Sequence, residues 1–101
     1  MTAPQPIAGE TVSPELLARL RAELEEQREA RLAQLEEIPA DEVERAFRDL
    51  AEKALEEIEA ALERIDAGVY GLCERCQAPI SVARLEVMPQ TPFCVGCASV
   101  K

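Results

Sequence analysis

Apolar residues return at helical intervals through most of this chain. Leu16, Leu17, Leu20 and Leu24, then Leu32, Leu35 and Ile38, form one such stripe, with a polar gap around Gln27 and Arg28. Ser13 ahead of Pro14 and Glu15 supplies an N-cap, a proline at the first helical position and an acid in the first turn, so a helix is predicted to start there. Pro39 ends it. A second stripe, Val43, Phe47, Leu50, Ala54, Ile58, Ala61 and Ile65, steps by four or three residues in a nearly heptad pattern, behind Asp41 as its cap. Gly68 stops this helix and Gly71 lets the chain turn. Two such stripes joined by a short connection have one economical arrangement, an antiparallel hairpin with the stripes facing each other, each arm about 37 to 39 Å long at 1.5 Å per residue. Core packing is the simplest role for the stripes, and self-association through them is the alternative. Residues 1–12, with Pro4, Pro6 and Gly9 and no period, are predicted to be a disordered tail.

After residue 66 the helical period gives way to cysteines. Cys73 and Cys76 form one Cys-x-x-Cys pair and Cys94 and Cys97 another, seventeen residues apart, and these are all the cysteines present. Two such turns brought face to face supply the tetrahedral sulfur shell that zinc prefers, so the spacing predicts a zinc ribbon. The chain has no histidine, so all four ligands are cysteines. That leaves no position for a metal-bound water, and the expected Zn2+ is structural, one per chain. Four thiolates also suit iron. A disulfide framework would require an oxidising compartment, yet residues 1 to 14 show neither the basic start nor the apolar run of a secretion signal. A redox pair would require a Cys-x-x-Cys opening a helix in a βαβ setting, and neither pair has that context. The predicted fold is mainly α: an antiparallel two-helix coiled-coil hairpin over residues 13–66, its tip near residues 38–44, followed by a small four-cysteine zinc finger over residues 67–101. With 101 residues and three aromatics, Phe47, Tyr70 and Phe93, the core is thin, and metal binding and folding of the last third are expected to be one event.

Charge narrows the partners. Twenty acids against eleven bases give a net charge of −9. The excess lies in the helices, with seven acids and four bases from Pro14 to Ile38, and ten acids and four bases from Pro39 to Asp66. From Ala67 onward there are two acids and three bases. Nucleic acids are polyanions bound through Lys and Arg, so no direct nucleic-acid contact is expected. Anionic membranes are disfavoured for the same reason, and no apolar stretch is long enough to span a bilayer. A cytoplasmic protein is expected.

The run from Ile65 to Cys97 is dense in recognisable residues: Ile65-Asp66, Gly68, Tyr70-Gly71, Cys73-Glu74 with Cys76, Ile80, Arg84-Leu85-Glu86, Pro89, and Cys94 with Cys97. It resembles the DksA/TraR family of bacterial RNA-polymerase regulators, and the preceding hairpin looks like that family's coiled coil. The resemblance implies a non-enzymatic transcription regulator that binds RNA polymerase as a monomer. The hairpin would enter the secondary channel of the polymerase and the base would grip the channel rim. It also implies a role for the tip, where the family's Asp-x-x-Asp-x-Ala pattern falls on Asp41, Glu44 and Ala46, with Arg45 and Arg48 as added contacts. Carboxylates brought into a narrow low-dielectric channel act strongly on nearby charge. The same acids are equally at home as a solvated helix start, where the helix dipole favours them.

The chain departs from the family pattern in several places. Glu44 stands where aspartate is usual, and Gln77 follows the second cysteine where glycine is usual, so a strained turn is expected there. The chain stops four residues past Cys97, without the C-terminal helix of longer members, and the second helix is shorter, which reduces the expected reach. Glu52, Glu56, Glu57, Glu59 and Glu63 against Lys53 and Arg64 would repel an anionic nucleotide. Tyr70 is expected to pack where hairpin meets finger, with its hydroxyl at the edge. Arg84 is expected to pair with Asp66 or Glu86, or to offset the charge of the tetrathiolate, and Glu74 and Arg75 to be exposed. The alternatives to a polymerase regulator are a coiled-coil adaptor or homodimer with a purely structural zinc site, and a thiol enzyme.

Overall fold

The computed structural model describes residues 12–39 and 41–99, with the side chains of Glu42 and Val43 excepted. Most of the expected tail, Val43 of the second stripe, and Val100 and Lys101 therefore lie outside the described residues. Two long helices come first, α1 (Pro14–Glu37) and α2 (Glu42–Ala67), then two short ones, α3 (Val82–Val87) and α4 (Val95–Ala98). The molecule is elongated, 57 × 31 × 21 Å.

Local chemistry sets each boundary. Ser13 Oγ accepts from the Leu16 amide at 3.1 Å and Pro14 occupies the first turn. Proline disfavours the α conformation in the residue before it, and Ile38, ahead of Pro39, is extended at φ −80, ψ 122. Asp41 caps α2 by accepting from the Glu44 amide at 3.0 Å. At the far end Gly68 is left-handed, at φ 79, and the amides of Gly68 and Val69 donate to Ile65 and Arg64. Glycine adopts this conformation without steric cost.

α1 and α2 pack as the expected antiparallel pair, but the buried seam differs from the predicted stripes at both ends. Leu24, Ile58 and Ala61 form one buried cluster, joined by half-buried Leu62, Ile65 and Tyr70. Leu20, by contrast, is fully buried with Cys73, Ile80 and Leu85, and Val12 and Leu16 pack on the same group. The opening turns of α1 thus serve the finger's core and not the helix–helix seam. On α2 the buried apolar positions are Ala51, Ile58 and Ala61, with Ala54, Leu55, Leu62 and Ile65 half-buried beside them. Phe47 and Leu50, assigned to the seam by periodicity, are instead 61% and 66% exposed. The polar gap in α1 is filled: Arg28 Nε donates to Glu59 Oε2 across the seam at 3.1 Å.

The finger is less β-like than a ribbon. Among the described residues its only ladder contact is an isolated antiparallel bridge, Leu72 with Pro79. α3, which the sequence reading passed over, begins at Ser81, whose Oγ accepts from the Arg84 amide at 3.2 Å.

Candidate metal centre

The first knuckle is built by backbone hydrogen bonds. Gly71 (φ 93) turns the chain away from α2, and a Cβ there would meet Val12 and Leu85 at 3.5 and 3.8 Å. The Cys73 amide donates to Ala78 O at 2.8 Å, the Gln77 amide to Cys73 O at 2.8 Å, and the Arg75 amide to Cys73 Sγ at 3.4 Å. Gln77 closes the turn at φ 64, the strain expected where the family has glycine. In the second knuckle Cys94 precedes α4, and the Ala98 amide donates back to Cys94 O at 2.8 Å. The Glu74 amide donates to Pro92 O at 2.8 Å and so joins the two knuckles directly.

All four Sγ atoms converge to within 4.8 Å of one another, and none is in a disulfide. Zn–S bonds of about 2.3 Å in a tetrahedron require sulfurs about 3.8 Å apart. The Cys76 and Cys94 sulfurs are separated by 3.8 Å. The donor set therefore fits one tetrahedral zinc, held by Cys73, Cys76, Cys94 and Cys97. Burial opposes ionisation of Cys73, but the backbone amides of Cys76, Cys94 and Arg75 and the Cys97 thiol outweigh it and bring its pKa down to about 6. Cys97 is pushed up to about 12 by desolvation and by hydrogen bonding to the other three sulfurs. One thiolate is thus favoured before any metal arrives, and the metal must displace the remaining protons.

Two arginines brace the centre. Arg84 does not pair with an acid, contrary to expectation, because Asp66 is taken by Arg21 and Glu86 by Arg19. It donates instead from Nε to Phe93 O at 3.0 Å and from Nη2 to Thr91 Oγ1 at 3.4 Å, holding the chain just ahead of Cys94. Sequence reasoning counted Arg64 only among the few bases of the second helix and gave it no structural role, yet its side chain is only 9% exposed. It reaches Glu74 and the carbonyls of Gln90 and Thr91, each at 3.4 Å, from the last turn of α2. A lone base in that last turn, facing two knuckles with carbonyls to satisfy, was the available signal. Glu74 and Arg75 are exposed as expected.

Tyr70 packs against both buried clusters and donates its hydroxyl to Pro89 O at 2.8 Å. Desolvation pushes its phenol up to about 12, with Arg64 opposing and Glu23 assisting. It is the only tyrosine, and the chain has no tryptophan, so phenolate absorbance reports this site alone. The raised folded-state pKa means that the stabilisation from the neutral phenol is complete below about 10, the unfolded value, and is lost as pH rises toward 12. In an alkaline absorbance titration the native protein is expected to ionise near 12, and the unfolded chain near 10. A native titration at the unfolded position would contradict this packing.

The tip residues lie at the other end of α2, about 39 Å away at 1.5 Å per residue. Asp41 is exposed and engaged as the cap, Glu44 is half-buried, and Arg45 and Ala46 are exposed. Arg48 donates from Nη2 to Ile38 O at 2.7 Å, closing the end of α1, which has no base of its own in its last turn. The structure therefore brings the four cysteines together and keeps the tip group apart from them.

Comparison with known proteins agrees with this architecture. A family model described as the prokaryotic dksA/traR C4-type zinc finger matches residues 68–101. The RNA polymerase-binding transcription factor DksA of Haemophilus influenzae is 34% identical over 53 residues, covering 52% of this chain and 37% of that protein. An uncharacterised protein of Aquifex aeolicus is 50% identical over 44 residues, 44% of this chain and 30% of its own length. The matched segment thus spans about a third of these curated relatives. Solved structures extend the likeness to the hairpin. Transcription factor DksA2 of Pseudomonas aeruginosa superposes with a TM-score of 0.74 at 26% identity, over 93% of this chain and 88% of that one. The RNA polymerase binding protein and transcriptional regulator Dks of Chlamydia trachomatis L2 gives 0.66 at 25% identity, over 87% and 88%. The finger is thus similar to the DksA/TraR C4-type zinc finger over residues 68–101, and the helical hairpin before it has the shape found in solved DksA proteins.

Proposed function

We propose that this protein is a non-catalytic, cytoplasmic regulator of bacterial RNA polymerase that works as a monomer, inserting its hairpin into the secondary channel and presenting Asp41, Glu44, Arg45 and Ala46 near the active centre. The observation that carries this reading is the likeness to DksA2 over 93% of the chain, which includes the hairpin as well as the finger. The zinc-bound base provides a rigid foot, and α2 provides the reach. Among the described residues, no helix is long and apolar enough to cross a membrane. The charge of −9, concentrated in the helices, favours a protein partner over direct contact with nucleic acid.

In-vitro transcription with purified polymerase tests the proposal. Because Asp41 caps α2, alanine there would confound charge with helix stability, whereas asparagine caps equally well. The Asp41→Asn, Glu44→Gln variant is expected to keep its fold and zinc while its effect on open-complex lifetime falls on the order of tenfold, the equivalent of ~1.4 kcal/mol. If the unmodified protein neither alters that lifetime nor competes with a transcript-cleavage factor for the channel, the proposal is wrong.

A further inference from the structure

Arg64 and Thr91 are the buried polar residues among those described, and they meet, with Arg64 Nη2 donating to Thr91 O at 3.4 Å. A guanidinium taken out of water has to be paired, and every hydrogen bond that Arg64 makes among the described residues through its side chain goes to the finger. Nη1 faces Glu74, which lies between Cys73 and Cys76, and Nη2 faces the carbonyls of Gln90 and Thr91, just ahead of Cys94. One planar group on α2 thus reaches both Cys-x-x-Cys turns at once.

Two simpler roles do not account for this placement. The last carbonyls of α2 already receive the amides of Gly68 and Val69, so Arg64 is not needed to close the helix. An ion pair with Glu74 alone would leave the guanidinium at the surface, because that carboxylate side chain is itself 53% exposed. The backbone carbonyls draw it inward. Each contact is long, at 3.4 Å, and weak singly, so their joint worth depends on the two turns standing at one separation. The same separation brings the four sulfurs together for a single tetrahedral ion. We propose that Arg64 is the positioning residue of the metal centre: it holds the two cysteine turns at the spacing zinc needs, and through it zinc retention depends on the hairpin. The coupling runs both ways, because turns released from the metal no longer present the acceptors that a buried guanidinium requires, and the last turn of α2 loosens with them. This role is independent of the polymerase reading.

Chelator competition on the zinc-loaded protein, with urea unfolding alongside, tests the proposal. Methionine has a helix propensity close to that of arginine, so Arg64→Met is expected to keep the helicity of the hairpin. Its zinc affinity is expected to fall roughly tenfold to a hundredfold, the usual cost of losing a side chain that orients metal ligands. Arg64→Lys keeps the charge, but a single ammonium lacks the fork that spans both turns, and it is expected to lose zinc nearly as readily. Glu74→Ala, at an exposed position, is expected to weaken zinc about twofold to fivefold in the unmodified background and to add nothing in the Arg64→Met background. Zinc held by Arg64→Met or by Glu74→Ala as tightly as by the unmodified protein overturns the proposal. Full rescue by lysine also overturns it, leaving the arginine as a counter-charge alone, and so do additive effects of the Glu74 and Arg64 substitutions. Should the methionine variant fail to fold, the same pairing of substitutions with Arg64→Lys decides between these outcomes.

Discussion

Removing zinc is expected to unfold the segment from Gly68 to Ser99 and to loosen the base of the hairpin. Structural zinc contributes on the order of 10–16 kcal/mol of apparent binding free energy in finger peptides at neutral pH. This finger has little else to hold it, since its buried apolar side chains are Ile80 and Leu85 with Cys73, completed by Leu20 from α1. α3 and α4 are six and four residues long, too short to persist in isolation. Elemental analysis should give one zinc per chain. A chelator should shift the Tyr70 phenolate titration to the unfolded position and abolish the cooperative thermal transition of the finger, and Cys73→Ser should reproduce both effects. A metal-free chain that melts as the loaded one does would show that the sulfur cluster is incidental to folding.

Leu20→Ala is expected to be the most damaging single apolar truncation. Such a truncation at a fully buried leucine costs about 2–5 kcal/mol, a large share of the 5–15 kcal/mol that stabilises a typical domain. Leu20 is 0% exposed and packs on the cluster that contains Cys73, so the cavity would open beside a metal ligand. Urea unfolding at fixed zinc should show a midpoint shift of that size together with weakened zinc retention against a competing chelator. Leu24→Ala, equally buried but in the helix–helix cluster, should lower the midpoint while leaving zinc retention nearly unchanged. Equal zinc loss from the two variants would mean that the two clusters are not separable.

The caps and the cysteines were legible in the chain because each depends on short-range chemistry. Ser13, Asp41 and Gly68 act within three or four residues, and Cys-x-x-Cys aims two sulfurs at one point whatever surrounds it. Where the seam ends was not legible. Ile58, Ala61 and Ile65 of the predicted stripe pack inward, whereas Phe47 and Leu50, toward the tip, are left uncovered. Periodicity gives the face of a helix and not how far along it the partner helix covers that face. The pairing of Arg84 with an acid was misassigned because α1, distant in sequence, supplies Arg21 to Asp66 and Arg19 to Glu86. Ile80 and Pro89 turn out to be structural, one as finger core and the other as the acceptor for Tyr70.

The ion pair between Arg28 and Glu59 works as a key in its slot. It sits midway along two otherwise apolar edges, with both side chains about 40% exposed, so its direct worth is small. A slip of the arms by one turn would separate the two charges, so the pair favours the observed alignment over its neighbours. The span from foot to prong is consequently a set length, like that of a gauge cut to one size.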